Sequence, residues 1–239
     1  MSAKPAASRS SSRSDRQPST RAAANRLPLD RERILAVALR LMDADGLEAL
    51  SMRKIAAELD VEAMSLYYHL PGKAALLEGL ADTVLAEVNL PRVDPDDPPT
   101  AVRGVARALR VNALAHPNAI ALLGSLGLGS PSARRHTESV LDVLARAGFG
   151  PQAAFTTFLL LRSYVLGYVL WEIRHAEARA AGIIPPTEAG RLTAMDLPNL
   201  APIAGFITTF DNDTEFERGL DVLVTGLGFP PDRRQGERP

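Results

Sequence analysis

The stretch from Ser51 to Lys73 constrains this chain most, because its pattern fits two short helices joined by a tight turn. Ser51 suits a helix start, where its hydroxyl accepts from backbone N–H groups that have no intrahelical partner. Ile55, Ala56 and Leu59 mark the buried stripe of the first helix, and Asp60-Val61 turns the chain. Val61 plugs the angle between the helices and Leu66 recurs on the inner face of the second, the arrangement of a helix-turn-helix. Glu62, Ala63, Met64, Ser65, Tyr67, Tyr68 and His69 are left mostly facing outward.

An outward face with adjacent tyrosines and a methionine needs an explanation, since each large apolar side chain left in water forgoes ~1.5–3 kcal/mol of burial. Two readings stand at this point: these residues are the core of an ordinary helical bundle, or a partner covers them. If the partner is DNA, the second helix enters the major groove. Ser65 then bonds a base, Ala63 or Met64 meets a thymine methyl, and Met52 lies beside them. The phenols of Tyr67 and Tyr68, the imidazole of His69 and the cations Arg53 and Lys73 suit phosphates. Lys73 also follows Pro71-Gly72 at the start of the next helix, where free N–H groups favour an anion.

The spacing is more specific than any of these residues alone. Leu29-Asp-Arg-Glu-Arg-Ile-Leu35, Asp45-Gly46-Leu47, Ser51 to Ala56, Val61, Leu66-Tyr67-Tyr68-His69 and Lys73 to Leu77 closely resemble the N-terminal domain of the tetracycline-repressor (TetR) family. The resemblance covers roughly residues 29 to 88. It implies an all-α homodimer with an N-terminal DNA-binding domain and a C-terminal helical domain that dimerises and binds a small ligand. The implied activity is that of a ligand-responsive transcriptional regulator, a repressor released from a palindromic double-stranded DNA operator by a small-molecule effector. The alternative is a helical ligand-binding or partner-binding protein whose helix-turn-helix no longer binds DNA.

Composition agrees with such a protein but does not name it. With 239 residues, 46% of them hydrophobic, the chain can bury one or two sizeable cores. It has no cysteine, so neither disulfide nor thiolate chemistry is available. No signal peptide is apparent, and a cytoplasmic protein is expected. The formal net charge is −1, so positive charge must act locally rather than in bulk. Residues 1 to 28 form a basic tail expected to be disordered, in which Lys4, Arg9, Arg13, Arg16, Arg21 and Arg26 are opposed only by Asp15. The tail is either a solubilising extension or an arm that follows phosphates or enters the minor groove.

The remaining pattern predicts helices throughout. One runs from Asp30 to about Ala44, stopped by Asp45-Gly46. The helix-turn-helix domain is drawn at 29–75, followed by a connecting helix over 73–89 and a proline-rich linker over 90–99. Further helices are expected at about 100–115, 118–126, 132–147 and 151–178, a loop at 179–200, a helix at 199–209 and a last helix bearing Phe216, Leu220, Leu223, Val224 and Leu227. Residues 76–229 form the ligand-binding and dimerisation domain, and 230–239 a flexible tail.

The segment from Phe155 to Trp171 is apolar on nearly every side, but it is short for a membrane span and carries Arg162 near its middle. No membrane partner is expected. Phe155, Phe158, Arg162, Val165 and Val169 form one stripe, and Tyr164, Tyr168, Trp171 and His175 another; one is expected to face a cavity and the other a second subunit. Leu197-Pro198 to Phe210 and Phe216 to Leu220 more loosely resemble the tetracycline-repressor subgroup of that family, and this second resemblance implies a dimer built as a four-helix interface of this helix and the last one.

In tetracycline-binding members, a histidine in the short helix after the linker and an acidic side chain on the long helix hold the drug's magnesium. The resemblance places Leu122 and Trp171 there, and Asn89 where a drug-contacting histidine stands, which argues against tetracycline–magnesium binding. An apolar pocket lined by Leu109, Leu122, Phe158 and Trp171 is expected instead. Arg162 either meets an anionic or carbonyl group of the ligand or pairs with an acidic neighbour. His69, His116, His136 and His175 lie on separate elements with no metal-ligand spacing, and no nucleophile elbow or phosphate loop occurs. No cofactor, metal or catalytic residue is therefore expected.

Overall fold

A computed structural model describes residues 28–184, 190–191 and 197–229. The expected basic tail (but for residue 28), the C-terminal tail, and part of the expected loop lie outside the described residues. All regular structure among them is helical: α1 (Arg31–Asp45), α2 (Met52–Leu59), α3 (Ala63–Tyr67), α4 (Lys73–Ala86), α5 (Pro98–Ala115), α6 (Ile120–Ser125), α7 (Pro131–Arg146), α8 (Pro151–Ala180), α9 (Ala204–Thr208) and α10 (Asn212–Gly226). One-turn 3₁₀ segments at Pro117–Ala119 and Ala201–Ile203 precede α6 and α9.

Local chemistry sets the boundaries. The Asp30 carboxylate accepts from the Arg33 amide and the Ser51 hydroxyl from that of Lys54, so both starts are capped. Gly46, at φ 85°, ends α1 and returns its N–H to the Met42 carbonyl. The prolines Pro98 and Pro99, expected to lie in the linker, belong to α5 instead. Proline needs no N–H donor in the first turn, and Asp97 caps that turn through the Thr100 amide. The connecting helix ends at Ala86, three residues before the expected limit, as the chain approaches Pro91.

Two apolar cores result. The first gathers Ile34, Ala38 and Met42 of α1, Ile55 and Leu59 of α2, Leu66 of α3, Leu76, Leu80 and Val84 of α4, and also Ala119, Leu122 and Leu123. The second joins α5, α7, α8 and α10 through Val102, Val105, Val140, Leu144, Leu161, Val165, Phe216 and Leu220.

Ion pairs bind α5 to α10 and α8: Arg103 to Asp221, Arg107 to Glu217 in a two-pronged pair, and Arg110 to both Asp213 and Glu172. Arg110 also lies 4.7 Å over the Phe216 ring. Of the two α8 stripes, the one with Phe155, Phe158 and Arg162 faces the interior, and the tyrosines of the other pack on α10. Tyr164 and Tyr168 donate to the carbonyls of Phe216 and Asn212, because a buried phenol must find an acceptor and α10 supplies it. Leu160, Ser163, Gly167 and Leu170 make the exposed face of α8 instead. By length and composition α8 is long and apolar enough to cross a membrane, yet Ala154, Phe158, Leu161, Val165 and Val169 are buried in this fold.

Candidate nucleic-acid interface and interior cavity

The turn between α2 and α3 is sharp because Asp60 takes a left-handed conformation, φ 55°, and its N–H meets the Ala56 and Ala57 carbonyls. Val61 then donates to the Ala56 carbonyl at 3.0 Å, and Leu66 and Leu70, with essentially no exposure, anchor α3 and the turn after it. Gly72, at φ 104°, reverses the chain so that α4 begins at Lys73.

This scaffold leaves the α3 face bare. Tyr68 is 89% exposed, Met64 69% and Tyr67 44%, so the reading as core of an ordinary bundle is set aside. Ala63, Ser65 and His69 are half-buried on the same short segment. Arg53 is exposed at the start of α2 and Lys73 at the start of α4, and neither has a carboxylate partner among the described residues. Met52 is half-buried against the first core, so it backs the surface more than it extends from it. Nearby cations are otherwise engaged: Lys54 with Asp45 and Arg40 with Glu58, both at 2.7 Å. Of the expected contact set, Arg53, Met64, Tyr67, Tyr68 and Lys73 are thus exposed, and Met52, Ala63, Ser65 and His69 are half-buried.

The second feature is a cavity of about 160 Å³. Leu109, Phe158 and Arg162 line it as expected, together with Phe155, Val165, Leu166 and Leu123. Leu122 does not: both leucines belong to the first core, but Leu122 lies one helical position away from Leu123, the one that reaches the cavity. Trp171 does not either. It lies beyond the cavity on α8, stacked on His175 and edge-on to Phe210. Nine residues of helix separate it from Arg162, about 13 Å at helical rise.

Polar groups in the wall are few. Asn112 donates to the Val84 carbonyl at 2.8 Å, tying α5 to α4. Arg162 donates to the Leu123 carbonyl at 2.8 Å and to that of Gly124 at 3.4 Å, and pairs with no carboxylate among the described residues. His136 and Thr137 also line the cavity and were not among the expected residues. They share the stripe of α7 that carries Val140, Val143 and Leu144, and that spacing was the available signal. Burial, with the Arg162 charge added, pushes the His136 imidazole below the ordinary histidine range.

The wall draws on both cores. Leu85, Leu123 and Leu126 pack with the first; Leu109, Phe155, Phe158, Val165 and Leu166 with the second. Polar links cross the same seam. His116, at the end of α5, contacts Asp43 of α1 at 3.0 Å through Nδ1 and Glu87, just after α4, at 2.9 Å through Nε2. Two carboxylate neighbours require a proton on each nitrogen. Burial opposes that charge, but the hydrogen bonds that the ring donates to Glu87 and Asp43 outweigh it and raise the His116 pKa. Glu78 of α4 accepts from Ser130 and from both the amide and the hydroxyl of Ser132 at the start of α7. Burial opposes the Glu78 charge, yet these serine bonds hold its carboxyl below the ordinary range.

Comparison with known proteins agrees with both halves. Residues 34–80 match the family of bacterial regulatory proteins of the tetR type, and residues 90–229 the tetracyclin repressor-like C-terminal domain. An HTH-type transcriptional regulator of Saccharopolyspora erythraea is 34% identical over 203 residues, 83% of this chain and 84% of that one. The class A tetracycline repressor of transposon 1721 from Escherichia coli is 32% identical over 81% of this chain and 88% of its own. Among solved structures, the Streptomyces coelicolor TetR family protein ActR in complex with actinorhodin superposes with a TM-score of 0.74 at 32% identity, covering 84% of this chain and 95% of that one. An exposed reading surface, a cavity between two cores and these matches lead to one conclusion: the chain belongs to the tetracycline-repressor family and is a ligand-responsive, DNA-binding transcriptional regulator.

Proposed function

We propose that this regulator works as a cytoplasmic homodimer, represses from a palindromic operator, and releases it when a small organic molecule fills the cavity. The observation that carries this reading is the cavity's shared wall. A ligand there touches Leu85 and Leu123 of the first core and Phe158 and Val165 of the second at once. Filling it biases how the two cores sit against each other, and so biases the spacing of two α3 faces in a dimer. An effector that prefers the splayed arrangement lowers operator affinity by that differential, typically ~1–3 kcal/mol.

On the DNA side, Arg53, Tyr67, Tyr68, His69 and Lys73 take phosphates. Ala63, Met64 and Ser65 meet base edges, with Met52 behind them. The dimer forms on the outward face of α8, where Leu160 and Leu170 flank the small Ser163 and Gly167, and on α10, where Val222 is 74% exposed. The similar protein ActR, solved in complex with actinorhodin, supports a small-molecule effector.

The test is selection from random duplexes with purified protein at two salt concentrations. We expect a palindromic site with half-site centres ~34–36 Å apart, and an affinity that falls steeply with salt. A folded, dimeric protein that enriches no site contradicts the proposal.

A further inference from the structure

We propose that Arg162 and His136 form an anion site inside the cavity, and that the effector is an organic acid, a carboxylate or ionised phenol on an apolar ring-bearing body. This rests on the reading of the cavity as the effector site. Six of the residues around it, Leu109, Leu123, Phe155, Phe158, Val165 and Leu166, offer only apolar surface. Asn112 has already committed its amide to Val84.

Arg162 is different. Its Nη2 holds the Leu123 and Gly124 carbonyls, and among the described residues no carboxylate neutralises it. A guanidinium in an apolar wall without a counter-ion is costly to keep, and a planar anion satisfies it through charge-assisted, two-pronged bonds that a neutral carbonyl cannot match.

His136 shares the wall, and its ring makes no hydrogen bond to another described residue. The charges around it are accounted for on each packed element. α8 presents Arg162 and α5 only the neutral Asn112. On the far side Asp82 of α4 is already paired with Arg135 of α7 itself. Burial first, and the Arg162 charge second, hold the His136 imidazole below its ordinary range. An anion placed beside Arg162 offsets that charge and gives the imidazolium a partner inside the buried wall, so His136 takes up a proton on binding. Binding then strengthens as pH falls through the bound-state pKa of His136.

The experiment uses the full chain and two isosteric probes, 2-naphthoate and neutral 2-naphthamide, in titration calorimetry. Wild-type protein should bind the carboxylate about tenfold more tightly, the size of one charge-assisted bond. Buffers of different ionisation enthalpy should report proton uptake with the carboxylate only. Arg162→Gln should erase the preference and Arg162→Lys retain part of it. His136→Gln should keep a preference but lose the proton uptake. Equal binding of both probes to wild type overturns the anion site and leaves the cavity reading standing, whereas binding of neither overturns both. A preference that survives Arg162→Gln in a protein with wild-type melting overturns the role of Arg162.

Discussion

The face of α3 and the wall of the cavity both set polar groups among apolar ones, but under opposite solvent conditions. On α3, Tyr68 and Met64 stand in water while the segment beneath them is fixed by Leu66 and Leu70. In the cavity, Arg162 and His136 stand among leucines and phenylalanines. A surface tyrosine waits for its partner at the modest loss of unburied apolar area, whereas a half-buried cation with no carboxylate partner among the described residues waits at a larger one. The difference suits the two tasks. A DNA reader must remain open to many sequences before finding one, and an effector site must reject nearly every molecule that lacks the matching charge.

The largest expected effect tests whether the reader depends on its hidden anchor. Leu66→Ala removes a fully buried side chain at the centre of the first core and should destabilise the DNA-binding half by ~2–5 kcal/mol. Denaturant unfolding should show that loss, and operator binding should go with it. If operator binding persists at wild-type strength, α3 is not held by that core.

A smaller effect separates positioning from reading on the exposed face. Tyr67→Ala should weaken binding to every duplex alike, by ~1–2 kcal/mol, with melting unchanged. Changes at Met64 or Ser65 should instead alter which base is preferred. Uniform loss on all sequences in both cases would sink this division of roles.

The smallest effect concerns the seam between the halves. The His116 pKa is raised in the folded protein by Glu87 and Asp43. A raised pKa means that the charged bridge stabilises fully below the ordinary histidine value of 6.5 and is lost as pH climbs through the raised one. Melting temperature should therefore fall from pH 6 toward pH 9 by more in wild type than in His116→Gln. Parallel curves would remove His116 from the seam.

The same contrast explains what the sequence disclosed. The reader was legible because its signals are local: Ser51 caps, Gly46 stops, Asp60-Val61 turns, and each acts within a few residues of itself. The cavity was legible only in part. Helical periodicity marks Leu122 and Leu123 alike as buried but does not tell which of the two borders the cavity. It marks Trp171 as apolar but does not say where along a 30-residue helix the cavity ends. Which α8 stripe faces inward was left open for a similar reason, because the acceptors of Tyr164 and Tyr168 lie on α10, far away in sequence. His116 stands at the end of α5, and its two carboxylate partners come from segments 73 and 29 residues away. Long-range partners of this kind leave no periodic trace.

Repression by this mechanism requires above all that two α3 faces be presented as a pair. The chain has no cysteine, so Glu62→Cys, at the exposed start of α3, takes a single spin label per subunit. Pulsed dipolar spectroscopy on the dimer bound to its selected operator should give one narrow distance population near the ~34–36 Å between successive major grooves. Without DNA the same population should broaden. Absence of any intersubunit coupling, or a distance unrelated to the groove repeat, would contradict the paired presentation of α3.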